Sequence, residues 1–325
     1  MNNIMKSSLA LCRTKLQVFT LSLILARKKE ETVEIYYFDD SYKSDTLDFL
    51  NRICKSKGYQ FKYFVKKNTF SDLSFIYREF RNKEYSNLYI ASLCNGYISL
   101  ATGLINFVNL ITFDDGAANL EKSSFVYQQR ESLKRSLFFS LFRSGYSLSD
   151  IVSKSSEHYN IFEASLYPYK GYFSKEINIS DVFQSSVQLD LNEEFSHLFL
   201  SPCYEELFED PEQGYCNVRD FLKLQLSTSD KVGYIQHPRS SYPTPDLPGL
   251  VDLTSNYIAE EIIADLAVGP CSLSLIGFGN TTQAFYINSN KIQNVLLTSN
   301  NMKKQYINHF FNKSSNITYF TLDGL

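Results

Sequence analysis

Two adjacent acids directly follow an apolar segment of strand length. Asp114 and Asp115 come after residues 109–113, and Gly116 is next. Two neighbouring carboxylates raise the pKa of at least one of them, which suits a general base. A plain Asp-Gly turn would produce the same three letters. The pattern therefore supports both a proton-accepting site and an ordinary turn.

A histidine closes a second apolar segment. His237 follows residues 231–236, and Pro238 restricts the backbone after it. An imidazole held at a strand end can protonate or hydrogen-bond an anionic group. Arg239, the next basic residue, can contact a phosphate. A structural histidine and a solvent-facing arginine are the alternatives.

Two serines open a third apolar segment, after Gly269 and Pro270. We expect a helix to begin at Ser272 and Ser274, where hydroxyl groups and free backbone amides would bind an anion. Helix capping without a ligand is the alternative. Upstream, Glu260 and Glu261 lie in a predicted helix, and a solvated helix face would explain both acids equally well.

The segments that must position these residues alternate between strand and helix. Apolar and aromatic runs predict strands at 8–12, 33–38, 60–65, 88–93, 109–113, 197–200, 231–236 and 293–297. Amphipathic spacing predicts helices at 15–29, 45–57, 72–83, 96–107, 129–142 and 255–267. Such alternation is typical of parallel βαβ units, whose ligands bind beyond the carboxyl ends of the strands. The paired acids and the histidine lie at such ends.

The length and composition predict two α/β domains. The chain has 325 residues, of which 44% are hydrophobic and 21% charged, a globular composition. At roughly 150 residues per domain, this length corresponds to about two domains. We predict Rossmann-like domains at residues 1–185 and 186–325, with a helical crossover at the end of the first.

Charge, cysteine spacing and hydropathy exclude several other classes. A formal net charge of −3 provides no global positive field for nucleic acid. The six cysteines form no C-x-x-C pair, so we expect reduced thiols in a cytoplasmic protein and no zinc ribbon or disulfide framework. The apolar run at 16–26 is shorter than the roughly 20 residues that a membrane-spanning helix needs.

Four short motifs occur in a characteristic order. They are C-R-T-x-L-Q at 12–17, D-D-G at 114–116, H-P at 237–238 and a Ser-containing turn at 271–272. In this order and at strand ends, they resemble the bacterial sialyltransferases, in particular glycosyltransferase family 52, the lipooligosaccharide and capsule sialyltransferases. The resemblance covers residues 8–275. It implies a glycosyltransferase-B-like fold with an acceptor-side first domain, a CMP-donor-binding second domain and the active site in the cleft between them. It also implies an enzyme that transfers sialic acid from CMP-sialic acid to a terminal sugar, usually galactose. It also implies inversion at the anomeric carbon, with no metal and no other cofactor.

The resemblance assigns the base to a carboxylate. In related families the acidic motif supplies it, which here means Asp114 or Asp115. In family 52 the base can instead come from an acid between the acidic and His-Pro motifs. The candidates for that position are Glu205, Glu206 and Asp210.

The resemblance also implies a CMP site. The histidine of the His-Pro motif acts on the CMP phosphate as an acid or an electrostatic stabiliser. A pair of serines binds the same phosphate, and an upstream acid holds the nucleoside. Cys271 replaces the first serine here, so Ser274 is considered as a substitute. The implied CMP-binding residues are His237, Pro238, Glu260, Glu261, Cys271, Ser272 and Ser274.

The implied partners are a nucleotide-sugar donor and a lipooligosaccharide or capsular glycan acceptor. Basic residues at 6, 13, 15 and 27–29, or at 130–143, are compatible with peripheral contact with the inner face of the cytoplasmic membrane, and a solvated face is the alternative. A homodimer is also compatible with the sequence. Two other functions stay open: a glycosyltransferase that uses a different nucleotide sugar, and a non-catalytic α/β binding protein.

Overall fold

The structure is a computed structural model that divides into two compact units, Met1–Phe183 and Gln184–Leu325. It describes residues 7–29, 32–93, 95–122, 124–128, 146–180, 195–254, 257–267, 272–303 and 317–324. The predicted boundary between residues 185 and 186 lies outside these ranges and stays a prediction.

The first unit contains a seven-stranded sheet in which every pair of neighbouring strands is parallel. Its strands are β1 (Ser8–Cys12), β2 (Val33–Asp39), β3 (Gln60–Val65), β4 (Glu84–Ile90), β5 (Asn106–Phe113), β6 (Ser155–Asn160) and β7 (Glu176–Asn178). Their order across the sheet is β3-β2-β1-β4-β5-β6-β7. The direction of winding therefore reverses between β1 and β4. Rossmann-like sheets bind their ligands beside such a reversal.

The helices of the first unit connect these parallel strands. They span Lys15–Lys28, Ser44–Lys57, Thr69–Phe80, Gly96–Leu104, Phe125–Gln128 and Leu148–Lys154, with a 3₁₀ turn at Ala117–Leu120. Local side chains set several of their ends. The hydroxyl of Thr14 caps the first helix by accepting a hydrogen bond from the backbone of Gln17. Asn68 caps the third helix, which explains why that helix begins three residues before the predicted start at 72.

The second unit contains a six-stranded sheet of the same kind. Its strands are β8 (His197–Leu200), β9 (Val232–Ile235), β10 (Leu250–Asp252), β11 (Leu273–Gly277), β12 (Ile292–Thr298) and β13 (Ile317–Thr321). The order β10-β9-β8-β11-β12-β13 is again all parallel and reverses between β8 and β11. Counted within the unit, this is the 3-2-1-4-5-6 order of the Rossmann fold. The helices of this unit span Tyr204–Leu207, Pro211–Leu226, Ala259–Leu266 and Thr281–Phe285.

Both sheets are buried by the apolar side chains that the sequence pattern indicates. In the first unit, Leu9, Leu11 and Leu88 are inaccessible to solvent, and in the second Phe199 and Tyr234 are equally buried. Central strands that are covered on both faces have near-continuous apolar sequences, because the side chains on both faces are removed from water. These runs are the signal that locates the central strands in the sequence.

Most predicted elements are confirmed. The strands predicted at 8–12, 33–38, 60–65, 197–200, 231–236 and 293–297 are present with ends within one residue. β4 begins at Glu84 and ends at Ile90, so residues 91–93 form a loop instead of the predicted strand end. Strands β6, β7, β10 and β13 are not predicted, because they are short or polar and lie toward the sheet edges. The helix predicted at 129–142 lies outside the described residues.

The helix predicted at Ser272 and Ser274 is wrong. Residues 273–277 form β11, a strand in the middle of the sheet between β8 and β12. Leu273 and Leu275 are buried, and Ser274 between them is half-buried, which is the alternation of a strand. A five-residue apolar run has no periodicity that separates a helix from a buried strand, so the sequence pattern misled the prediction.

Candidate functional site

Asp114 and Asp115 follow β5 but have different surroundings. Asp114 is only 1% exposed, and its Oδ2 accepts hydrogen bonds from the backbone of Ile161 (2.8 Å) and the hydroxyl of Tyr167. Its Oδ1 lies 3.2 Å from Nε2 of His158. Asp115, by contrast, is exposed. Asp114 is therefore an interior anchor, and Asp115 is the member of the pair that a substrate can reach.

A buried polar network surrounds the Asp114 anchor. Nδ1 of His158 lies 2.8 Å from the hydroxyl of Thr112, and the imidazole stacks on Phe173 with ring centroids 3.7 Å apart. Burial and the charge of Asp114 raise the pKa of Tyr167 well above its usual value, so that phenol remains a hydrogen-bond donor. A buried carboxylate requires hydrogen-bonding partners. Because these partners come from β6 and from the segment at 161–167, the network connects both to Asp114 at the end of β5.

Two side chains that follow other strands of the sheet hold the carboxylate of Asp115. Nε2 of Gln17 donates to Oδ1, and the hydroxyl of Ser92 donates to Oδ2 at 3.1 Å. Gln17 lies beyond β1 and Ser92 lies beyond β4, the two strands at which the sheet order reverses. Asp115 thus lies at the position where a Rossmann-like sheet binds ligands.

The electrostatic surroundings leave Asp115 a better proton acceptor than an ordinary aspartate. Although its side chain reaches solvent, the surrounding protein hinders its hydration, and this burial raises its pKa. Hydrogen bonds from Gln17 and Ser92 and the charge of Arg13 act in the opposite direction. The net pKa lies above the usual aspartate value, as suits a general base.

The third residue of the acidic motif sets the turn. Gly116 has a φ of 132°, a backbone conformation that side chains rarely adopt. The chain then enters the 3₁₀ turn at Ala117–Leu120. The plain Asp-Gly turn and the exposed carboxylate, which the sequence presents as alternatives, are both present in the structure.

Gln17 and Ser92 are site residues that the sequence analysis missed. Gln17 lies in the C-R-T-x-L-Q motif, so a signal for it was present, but its contact with Asp115 depends on the strand order. Ser92 has no motif. Only its position after the strand next to β1 marks it, and that neighbour relation is a property of the folded sheet.

In the second unit, His237 follows β9 and is half-buried. The backbone N–H of Arg239 donates to its Nδ1 at 3.2 Å, so the neutral imidazole carries its proton on Nε2. Burial, with the charge of Arg239 in addition and that of Glu205 in opposition, lowers its pKa to about 4. His237 is therefore a neutral Nε2–H donor at pH 7. Pro238 follows it as an exposed residue.

Two of the alternative base candidates hold the loop that carries His237. Glu205 accepts hydrogen bonds from the backbone of Ser241 (2.8 Å) and from its hydroxyl. Burial raises the pKa of Glu205, but the hydrogen bonds from Ser241 outweigh it and lower the pKa to about 2. Glu206 forms an ion pair with Arg239 at 2.7 Å, which gives that arginine a protein partner. With so low a pKa, Glu205 is a weak general base.

The third candidate, Asp210, caps a helix. Its side chain accepts a hydrogen bond from the backbone of Gln213 at 3.1 Å, at the start of Pro211–Leu226. Its own backbone N–H donates to the side chain of Asn301 at 2.9 Å. These contacts are those of an N-cap residue.

Glu260 and Glu261 are buried, so the interpretation of a solvated helix face is wrong for both. Glu260 is 6% exposed and accepts a hydrogen bond from the hydroxyl of Thr282 at 2.8 Å. Burial raises its pKa. Glu261 accepts a hydrogen bond from the backbone of Ile258 at 3.0 Å, which caps the helix Ala259–Leu266. Both acids lie near the start of this helix.

Ser272 and Ser274 lie at the amino ends of the strands, whereas His237 lies at their carboxyl ends. Ser274 pairs with His197 at the amino end of β8, whereas His237 follows the carboxyl end of β9. Through this register Ser274 is level with Val232, five residues before His237, which corresponds to about 16 Å along a strand. The structure therefore does not bring these serines together with His237, as the predicted phosphate site requires. Cys271 lies outside the described residues.

Another pair of hydroxyl side chains lies beyond the carboxyl end of β11. Thr281 and Thr282 follow the loop at 278–280, next to the reversal between β8 and β11. Gln283, which is fully buried, holds this loop by accepting a hydrogen bond from the backbone of Gly279 (2.8 Å) and donating one to Leu275 (3.1 Å). The sequence pattern does not reveal this pair, because the apolar run before it fits a helix as well as the strand that it forms.

Two further observations concern metals and membranes. Across the described ranges, no three His, Cys, Asp or Glu side chains converge as metal ligands. Of the helices in the part of the chain that the structure describes, none is long and apolar enough to cross a bilayer.

Comparison with known proteins shows the family. The model of glycosyltransferase family 52 matches residues 46–298, most of the chain. The chain belongs to glycosyltransferase family 52. The resemblance found in the sequence is thereby confirmed, as is the prediction of a glycosyltransferase.

A curated relative of this family 52 chain comes from Pasteurella multocida (strain Pm70). It is the CMP-N-acetylneuraminate:beta-galactoside alpha-2,3-sialyltransferase, which is 26% identical over 165 residues. The match covers 48% of this chain and 52% of the relative, so the chain spans about half the length of the curated relative that it matches.

Solved structures show the fold. Arabidopsis thaliana UGT89C1 complexed with UDP-L-rhamnose has a TM-score of 0.51 at 12% identity, over 98% of this chain and 86% of that one. The same protein complexed with UDP has a TM-score of 0.50 at 11% identity, over 97% and 86% of the two chains. These are glycosyltransferases of the GT-B fold, so the predicted α/β fold with two Rossmann-like units is confirmed.

Proposed function

We propose that this family 52 chain is a sialyltransferase that moves sialic acid from CMP-sialic acid to a hydroxyl of a terminal galactose or similar sugar. Family membership and the activity in the name of the Pasteurella relative support the donor and the reaction. The observation that carries the assignment of residues is that Asp115 and His237, from two of the family-like motifs, both follow carboxyl ends of strands in Rossmann-like sheets.

Asp115 is the base in this proposal. As CMP departs, the anomeric carbon becomes electron-deficient, and the acceptor hydroxyl attacks it in a single displacement that inverts its configuration. The carboxylate of Asp115 accepts the proton that the hydroxyl loses. Asp114 lacks access for this role because its carboxylate is buried and bonded to Ile161 and Tyr167. Glu205, Glu206 and Asp210 are set aside because each already serves a structural contact.

His237 stabilises the departing nucleotide. Its Nε2–H is available as a donor because Nδ1 already accepts a hydrogen bond from the backbone of Arg239. The negative charge that develops on the CMP phosphate strengthens this hydrogen bond in the transition state. In this proposal His237 acts as an electrostatic stabiliser and not as an acid, because a proton on Nδ1 would remove the acceptor of the Arg239 N–H.

The remaining CMP contacts come from residues beyond the carboxyl ends of the strands, where His237 also lies. We assign the hydroxyl of Thr281 to the phosphate, in place of Ser272 and Ser274. We assign Glu260 to the nucleoside. The hydroxyl of Thr282 orients the Glu260 carboxylate by donating a hydrogen bond to it at 2.8 Å. These donors meet the phosphate charge without a metal ion in the proposed mechanism. Full transfer activity after exhaustive treatment with EDTA is the expected result.

The acceptor in this proposal is a lipooligosaccharide or capsular glycan, modified on the cytoplasmic side, where the donor is made. Peripheral contact with the membrane then brings the enzyme to a lipid-linked acceptor. Extraction of the protein from membranes by carbonate tests this contact, and retention after extraction would contradict it.

A transfer assay on the full chain tests the function. CMP-sialic acid is incubated with a panel of galactosides, and a sialylated product is detected by mass spectrometry. Calorimetric titration with CMP, UDP and GDP identifies the nucleotide, and we expect only CMP to bind. Binding of UDP or GDP alone would indicate another nucleotide sugar. No binding and no donor hydrolysis would indicate a non-catalytic protein.

A further inference from the structure

Gln17 is a buried polar side chain whose hydrogen-bonding groups are all used. It has no exposed surface. Its Oε1 accepts a hydrogen bond from the backbone of Arg13 at 2.6 Å, and its Nε2 donates to the hydroxyl of Ser92 at 2.8 Å and to Oδ1 of Asp115. An amide has two N–H donors, and both have acceptors here. A buried amide with this complete set of partners is held in one orientation.

Ser92 completes the support of the same carboxylate. It is 7% exposed, accepts the hydrogen bond from Gln17 and donates its own hydroxyl proton to Oδ2 of Asp115. Each oxygen of Asp115 therefore has one donor from the protein, while the residue as a whole remains exposed. A carboxylate oxygen has two lone pairs, so each still has one with which to accept a proton from a substrate.

We propose that Gln17 and Ser92 are positioning residues that orient Asp115 and keep it ionised for proton transfer. This inference rests on the proposed function of Asp115 as the base. Hydrogen-bond donors bind a carboxylate more strongly than a carboxylic acid, so the two residues favour the charged form. They act against burial, which favours the neutral form. Without them, Asp115 would be protonated over part of the working pH range.

The chemistry of position 17 requires an amide. The group must accept from the backbone of Arg13 and donate to both Ser92 and Asp115. A methionine offers no donor. A glutamate offers the acceptor but places a like charge beside Asp115, which raises the pKa of the pair. The variants Gln17→Glu and Gln17→Met therefore separate the charge of this residue from its hydrogen bonds.

The pH profile of kcat tests the proposal. In Gln17→Glu, Gln17→Met and Ser92→Ala, we expect the acidic limb to move up by about one pH unit. At a pH below this limb, the kcat of each variant should be about tenfold lower than that of the wild type, because one pH unit corresponds to a tenfold change in the ionised fraction. The donor KM and the CMP Kd should not change. The matched control is Ser22→Ala on the same helix, whose buried hydroxyl donates to the backbone of Phe19 and does not contact Asp115.

A titration of the free protein separates this inference from the proposed function. With ¹³C-labelled aspartate and the Asp115→Asn variant for assignment, NMR measures the pKa of Asp115 without substrate. An upward shift in Gln17→Glu and Ser92→Ala supports the proposal even if CMP-sialic acid is not the donor. Unchanged titration in both variants overturns it even in an active sialyltransferase. If Gln17→Glu fails to fold, Ser92→Ala alone decides by the same measurement.

Discussion

Asp114 and Asp115 are consecutive in the chain, yet only the carboxylate of Asp115 is available to a substrate. The first is anchored in the interior by Ile161 and Tyr167, and the second is held at the sheet edge by Gln17 and Ser92. This division of roles follows from the backbone at a strand end, where successive side chains point in opposite directions. It predicts different consequences for the two substitutions.

Asp115→Asn should strongly reduce transfer without unfolding the protein. The amide has nearly the same shape but cannot accept the proton of the acceptor hydroxyl, so kcat should fall about 10²- to 10⁴-fold. Transfer assays measure kcat, and thermal melting verifies the fold. CMP affinity should stay at the wild-type value. A variant with wild-type kcat would show that another group is the base.

Asp114→Ala should destabilise the protein. The substitution leaves the backbone N–H of Ile161 and the hydroxyl of Tyr167 buried without this acceptor, at a cost of about 2–4 kcal/mol in the free energy of unfolding. Urea denaturation measures that free energy. The comparison variant is Asp115→Asn, for which the expected loss is much smaller because Asp115 is exposed. Equal losses in the two variants would contradict the assignment of Asp114 as the anchor.

Asp210→Ala should separate helix capping from catalysis. Loss of the N-cap hydrogen bond to Gln213 should lower the free energy of unfolding by about 1 kcal/mol. Since Asp210 is not the base in our proposal, kcat measured well below the melting temperature should equal that of the wild type. A strong loss of kcat with unchanged stability would instead make Asp210 a base candidate again.

His237 should make folding stability depend on pH in a defined window. Its pKa in the folded protein is about 4, below the usual value of 6.5. Between these values the unfolded chain binds a proton that the folded protein does not bind. The contribution of His237 is therefore complete above pH 6.5 and is lost as the pH falls through 4, with a size on the order of 2–3 kcal/mol.

Urea denaturation of the wild type and His237→Gln at several pH values between 7.5 and 4 measures this contribution. The difference between the two free energies of unfolding should shrink as the pH falls. A difference that is constant with pH would show that the imidazole titrates normally in the folded protein.

Thr281→Val should weaken CMP binding, whereas Ser272→Ala and Ser274→Ala should not. Loss of a hydroxyl contact with a charged phosphate corresponds to about a tenfold increase in Kd. The serines lie at the amino end of β11, whereas His237 follows the carboxyl end of β9. Calorimetric titration with CMP measures all three variants. An increase in Kd for the serine variants alone would contradict our placement of the phosphate.

The sequence by itself determined the elements and the position of the motifs on them. Apolar runs and amphipathic spacing are local patterns, so the central strands and the first helices could be predicted closely. The motif residues Asp115 and His237 could be located at strand ends for the same reason, and the ordered motifs identified the family. Short apolar segments were the exception. Residues 273–277 fit a helix and a strand equally well until their neighbours β8 and β12 are known.

Only the tertiary structure decided which of these residues act together. Gln17 and Asp115 are separated by 98 positions, and they meet because β1, β4 and β5 are adjacent in the sheet. Local sequence also does not distinguish Asp114 from Asp115, since the difference between them is burial. Strand order, register and burial depend on contacts between distant segments, and a local pattern carries no information about which distant segment will be the partner.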